Sequence, residues 1–170
     1  MSVTTPQTPR KIVQQLPEEL VASTSFLLKR LGFAAKEKAM EAYERTGLHP
    51  YHHAVLIVLD ESSRETQAAI ADALGYDRGQ LVGLLDELEE QGLVERRRDP
   101  NDRRRHTVRL TPEGKRTLRR LRGIARDVED DFLAPLSDEE RAQLHALLLR
   151  LAEKHEPRCA AGLPAPRAAR

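Results

Sequence analysis

The segment from Asp77 to Leu110 constrains this chain most, because its hydrophobic period changes abruptly in the middle. Before Gly92, leucines recur at positions 81, 84, 85 and 88, which is one face of an amphipathic helix. Asp77 stands where that helix should start, Gln80 follows three residues later in a capping-box-like pair, and Gly92 should stop it. Beyond Gly92 the chain reads LVERRR, then DPND, then HTVRLT. Val108 and Leu110 alternate with polar neighbours, and Asp99-Pro100-Asn101-Asp102 is turn chemistry, so two short strands joined by an arginine-rich loop are expected. Upstream, Thr66 caps QAAIADALG, which Gly75 ends, and a short helix around Tyr51–Leu59 enters from Pro50. Helix, turn, helix and then a two-stranded wing is the pattern of a winged helix-turn-helix.

Helices flank this centre on both sides. Pro17, Glu18 and Glu19 suit a first turn, and the pattern of Leu16, Leu20, Leu27, Leu28 and Leu31 runs on through Ala35, Ala39 and Tyr43 to Gly47. On the other side, Thr111-Pro112-Glu113 opens a helix with proline in its first turn. Leu118, Leu121, Ala125, Val128 and Phe132 give it a continuous seam, and Ser137-x-x-Glu140 is a capping box ahead of Leu144, Leu147, Leu148 and Leu151. The fold class is therefore mainly α with a small β-wing. Residues 16–156 read as one compact unit between a disordered arm at 1–15 and a disordered tail at 157–170, both polar or rich in proline.

Composition narrows the function. Aromatic residues are only 4% of the chain and tryptophan is absent, which argues against single-stranded nucleic acid held by stacking. The longest apolar run, Ala54–Leu59, has six residues, far below the roughly 20 that span a bilayer. MSVTTPQTPR has no apolar core of a signal peptide, so a soluble, cytoplasmic protein without a membrane partner is expected. One cysteine, Cys159, excludes a disulfide framework and lies in the tail. Ser23, Ser25, Ser62, Ser63 and Ser137 sit in no nucleophile–base pattern, and the acidic residues lie at helix starts and solvent faces. An enzyme is not expected.

Overall charge is uninformative, with 28 basic residues against 27 acidic ones, but its placement is not. Residues 96–109 carry seven arginines against two aspartates, a net +5. Such a run is either a solvated hairpin or a surface for a phosphate backbone; a helix-turn-helix directly upstream favours double-stranded DNA. With the leucine stripe turned inward, Arg78, Gly79, Gln80, Val82, Gly83 and Asp86 face outward or flank it. Arginine pairs bidentately with guanine and glutamine with adenine, which makes Arg78 and Gln80 the base-reading candidates. Gly79 and Gly83 each cost about 1 kcal/mol in a helix relative to alanine. Close approach to a phosphate would explain them, and so would packing that merely tolerates them.

The stretch LVGLLDELEEQGLVERRRDPNDRRRHTVRLTPEG, Leu81 to Gly114, resembles the recognition-helix end and wing of MarR-type transcriptional regulators, and the similarity extends over roughly 20–152. That resemblance implies a homodimer on a pseudo-palindromic operator, with repression as the family default. It would assign 16–47 and 112–156 to dimerisation helices and 48–111 to the DNA-binding domain. The apolar seams of the flanking helices exceed what one winged domain needs, in keeping with a dimer. The family's wing pairs an aspartate with an arginine that enters the minor groove. Asp102 would orient Arg103 in those roles, with Arg104 and Arg105 on phosphates. Where the family often has Thr then Arg on the recognition helix, this chain has Val82 and Gly83, which moves the reading burden to Arg78, Gln80 and the wing.

The resemblance also implies a small-molecule effector between the dimer helices and the winged domain, with no cofactor otherwise required. His49, Tyr51, His52 and His53 form the remaining cluster: a metal site, which is the less favoured reading, helix capping or interface packing, or the lining of an effector pocket. Two other functions stay open on the sequence alone. One is a winged-helix module that binds a partner protein, the other a ligand or metal sensor without a DNA role.

Overall fold

The computed structural model describes residues 15–62, 65–98 and 106–160. The first helical turn, α1 (Glu18–Val21), ends at Ala22, and α2 (Thr24–Tyr43) begins two residues later. The long N-terminal helix expected from Leu16 onward is thus broken near Ser23, whose hydroxyl accepts from the Phe26 N–H at 3.4 Å and so restarts the helix. Contacts also divide the chain, within α2, into units Met1–Lys36 and Glu37–Arg170, in place of the single unit expected from the sequence. In the first unit Leu20, Val21, Leu27, Leu28, Leu31 and Phe33 are all exposed, so its described residues form no core of their own.

The second unit holds the core. A 3₁₀ turn (Glu44–Thr46) leads to α3 (Pro50–Ser62), which is longer than the short helix expected there. Strand β1 (Glu65–Thr66) follows, then α4 (Gln67–Leu74), α5 (Arg78–Glu90), β2 (Val94–Arg98), β3 (His106–Leu110), α6 (Pro112–Phe132), α7 (Asp138–His155) and a single turn, α8 (Pro157–Ala160), at the start of the expected tail. The capping signals act as the sequence implies. Thr66 accepts from Ala69, Asp77 from Gly79 and Gln80, Thr111 from Gly114, and Ser137 with Glu140 closes a full capping box. At Asp77 only the aspartate half of the pair is made.

The sheet runs β1-β3-β2, all antiparallel, with Val94 opposite Leu110 and Arg96 opposite Val108. Strand β1 is an addition to the expected two-stranded wing. It has no hydrophobic signature, is two residues long, and pairs Glu65 with Val108 and Thr66 with Thr107. Val94, Val108 and Leu110 turn inward to meet Val55, Leu56 and Leu59 of α3, Leu81, Leu84, Leu85 and Leu88 of α5, and Leu118 and Leu121 of α6. Burying each such leucine contributes roughly 1.5–3 kcal/mol. Gly114 lets the first turn of α6 lie on the Leu93 carbonyl, which a Cβ at that position would strike.

Candidate nucleic-acid interface

The α4–α5 turn fixes where the second helix points. Gly75 adopts a left-handed φ of 65°, and its own N–H together with that of Tyr76 caps the Ala71 carbonyl. Asp77 then caps α5 at 2.8 Å from the Gly79 N–H. With Leu81, Leu84, Leu85 and Leu88 all buried, Arg78, Gly79, Gln80, Val82 and Gly83 are all exposed on the outer face, as the stripe requires. A Cβ on Gly83 would meet nothing within 4 Å, so the chain's own packing does not demand glycine there. At Gly79 it would meet the Asp77 carboxylate at 3.0 Å.

The wing tells a different story from its charge count. Arg96 lies with Nη1 2.6 Å from Asp86 and 3.0 Å from Glu89 on α5, and its Nη2 donates to the Val82 carbonyl at 3.4 Å. Arg97 and Arg109 both bind Glu95, and the hydrogen bond from Arg109, helped by Arg97, holds that carboxyl below the usual range. Three of the arginines that the sequence groups as one basic strip are therefore paired within the chain. A linear charge sum hides this, because the acids that match them sit on the neighbouring helix and strand. Asp102, Arg103, Arg104 and Arg105 lie outside the described residues.

The histidine cluster separates into two places. His52, only 1% exposed, accepts the His49 backbone N–H at its Nδ1 (3.2 Å), which is half a capping box for α3 with histidine in the glutamate role. Its Nε2 must then carry the proton; it lies 3.0 Å from Glu87 of α5, but off the line of the N–H, so the contact is loose. Burial, with His49 adding to it and Glu87 opposing, pushes His52 down to about 4, so it is neutral at pH 7. His49 stacks on His52 with centroids 3.8 Å apart, and Tyr51 packs edge-on against both His49 and Tyr76 of the α4–α5 turn. One ligand atom from each of His49, His52 and Glu87 falls within 4.8 Å of the others, close enough for a metal. A metal on His52 Nε2 would need the proton moved to Nδ1, where it would face the His49 N–H and break the cap. The arrangement works as a helix cap leaning on α5.

His53 faces the other way. Its Nδ1 lies 2.7 Å from the Tyr43 hydroxyl, which also reaches the Leu121 carbonyl at 3.4 Å. Burial and then Arg122 lower its pKa.

Comparisons extend this picture. A sequence profile of the MarR family matches residues 46–105. A protein of Thauera aromatica named as a putative transcriptional regulatory protein for the hcr operon is 35% identical over 133 residues, 78% of this chain and 80% of that one. The transcriptional repressor CouR bound to a 23-mer DNA duplex superposes with a TM-score of 0.75 at 33% identity, covering 82% of this chain and 99% of its own. CouR from Rhodococcus jostii RHA1 bound to p-coumaroyl-CoA gives 0.68 at 31%, over 80% and 96%. Among the described residues no helix is long and apolar enough to cross a membrane. Likeness this extensive in sequence as well as in shape goes beyond a shared fold: the chain belongs to the MarR family of winged-helix, DNA-binding transcriptional regulators, which are not enzymes.

Proposed function

We propose that the protein is a repressor that binds a pseudo-palindromic operator as a homodimer and is released by a small-molecule effector. The carrying observation is the outer face of α5, where Arg78 and Gln80 stand exposed at the N-terminal end over a fully buried leucine stripe. An arginine and a glutamine at the leading turn of such a helix suit major-groove guanine and adenine. Arg103 then enters the minor groove with Asp102 orienting it, and Arg104 and Arg105 hold phosphates. CouR, a repressor solved on DNA, supports the direction of control, and its complex with p-coumaroyl-CoA supports an effector.

Dimerisation is supported by apolar side chains that stay substantially exposed. Leu27, Leu28 and Leu31 on α2, and Leu147, Leu148 and Leu151 on α7, are each 39–55% exposed. Two linked reading heads would reach half-sites one helical turn apart, about 34–36 Å. The test is fluorescence anisotropy against the gene's own upstream duplex and a scrambled one, across salt concentrations. A preference of roughly a thousandfold with a steep salt slope is expected. Equal affinity for both duplexes would overturn the assignment of that operator, and no binding to either would overturn the DNA role.

A further inference from the structure

At Gly75, the left-handed residue of the α4–α5 turn, a Cβ would strike the side chain of Arg158. The three atoms nearest to that position are Nη1, Cζ and Nη2 of its guanidinium. Arg158 belongs to α8, the single turn that follows α7, so the C-terminal segment reaches back to the turn that aims α5.

The local chain is built to deliver this group. The helix α7 ends at Glu156, whose φ of −145° and ψ of 71° leave the helical region, and Pro157 opens α8. The Glu156 carbonyl accepts from the Cys159 N–H at 2.9 Å and closes the turn. Its carboxylate accepts from Nε of Arg158 at 2.7 Å and from Nη2 at 3.0 Å, a fork that fixes the plane of the guanidinium. Nη1 takes no part in that fork and is the nitrogen closest to the Gly75 position. The turn also suits a cation, because the carbonyl end of α4 is the negative pole of its helix.

Gly75 therefore meets two demands. Its φ of 65° favours glycine, yet asparagine also takes that conformation at helix ends. The guanidinium lying against it leaves no room for a side chain of any kind.

We propose that Arg158 is a positioning residue for DNA reading, which straps the end of α7 to the α4–α5 turn just ahead of Arg78. The strap holds the direction in which α5 meets the groove. The proposal rests on the reading of α5 as the recognition helix and adds an attachment from the C-terminal segment. Because α7 carries the exposed Leu147, Leu148 and Leu151, the strap ties the proposed dimer surface to the reading head without passing through the core.

The test is a double-mutant cycle on the full chain with R158Q, G75N and the pair. Anisotropy is read across salt concentrations on a duplex selected by the wild-type protein. The Arg158 side chain is 52% exposed, so R158Q should melt as wild type does. Each single variant should bind roughly two- to fivefold more weakly, the reach of a cation at a helix C-terminus. The pair should be no weaker than the worse single variant, since both remove one contact. R158K, which keeps the charge without the fork, should fall between wild type and R158Q. The salt slope of R158Q should match wild type, because the strap touches no phosphate. Unchanged affinity in R158Q overturns the proposal, and so does a loss in the pair equal to the product of the single losses. A salt slope shallower by about one unit also overturns it, since Arg158 would then be holding a phosphate. Equal binding by wild type and R158Q sinks the strap and leaves the reading of α5 standing. A wild type that selects no duplex sinks that reading, and the strap's role with it.

Discussion

Arg96 joins the wing to α5 twice over. Its guanidinium meets Asp86 at 2.6 Å and Glu89 at 3.0 Å, while its backbone N–H donates to Glu89 at 3.1 Å. The Arg96 side chain is 20% exposed while Asp86 and Glu89 are 52% and 40% exposed, so the contact draws on the two-pronged guanidinium geometry more than on burial. R96A should cost about 1–2 kcal/mol of stability and weaken DNA binding further, because the strand leading into the wing loses its anchor. R96K should recover only part of either, lacking the planar fork. Thermal melts together with anisotropy check this; wild-type DNA affinity in R96A would show that the wing is positioned without Arg96.

At α5 itself, R78A should lose about 1–3 kcal/mol of operator affinity and relax the preference at one base position. A binding-site selection with wild type and variant decides it. An unchanged site profile would move base reading elsewhere.

Gly83 separates two costs. A methyl group added there would have nothing within 4 Å, so G83A should raise helix stability by up to about 1 kcal/mol. If a phosphate backbone approaches here, the same variant should bind the operator less tightly. Higher stability with equal or better DNA affinity would mean that the glycine serves no close approach.

Acid should unfold the protein through its buried imidazoles. Burial lowers His52 to about 4 from an ordinary 6.5, and it lowers His49 and His53 in the same direction. The unfolded chain therefore binds more protons between those values. Stability is full above about pH 6.5 and declines towards pH 4, with His52 accounting for roughly 2–3 kcal/mol. H52Q keeps an acceptor for the His49 N–H and has nothing to titrate, so urea melts from pH 4 to 8 should show a flatter profile than wild type. An equally steep profile in H52Q would place the acid sensitivity in other groups.

For the assembly, L148E/L151E places two charges on the exposed apolar side of α7. The variant should elute as a folded monomer in size-exclusion chromatography with light scattering, with wild type eluting as a dimer. A dimer in both would remove α7 from the interface.

What can be read from the sequence is local. Thr66, Asp77, Thr111 and Ser137 each announce a helix start within three residues of themselves, and all four caps are made. The leucine stripe of α5 likewise carries its own burial pattern. What escapes is set by partners distant in sequence. Strand β1 is two polar residues whose strand character comes entirely from β3, some forty positions on. Arg96 reads as one more wing charge, because Asp86 and Glu89 come near it only once α5 and β2 pack together. His49, Tyr51, His52 and His53 read as one cluster, yet neighbouring positions on a helix point to different sides, and Tyr43 draws His53 away from the others.

Strand β3 sits between β1 and β2, and the last residue of β1, Thr66, is also the cap of α4. The hairpin is therefore stitched to the front of the helix-turn-helix on one edge and clamped to its second helix by Arg96 on the other. Moving these strands away from the helices would break the Thr66 cap or the Arg96 ion pairs. If the proposed dimer is released from its operator by a signal, these two attachments favour a change in the distance between its two heads over a change in the shape of either one.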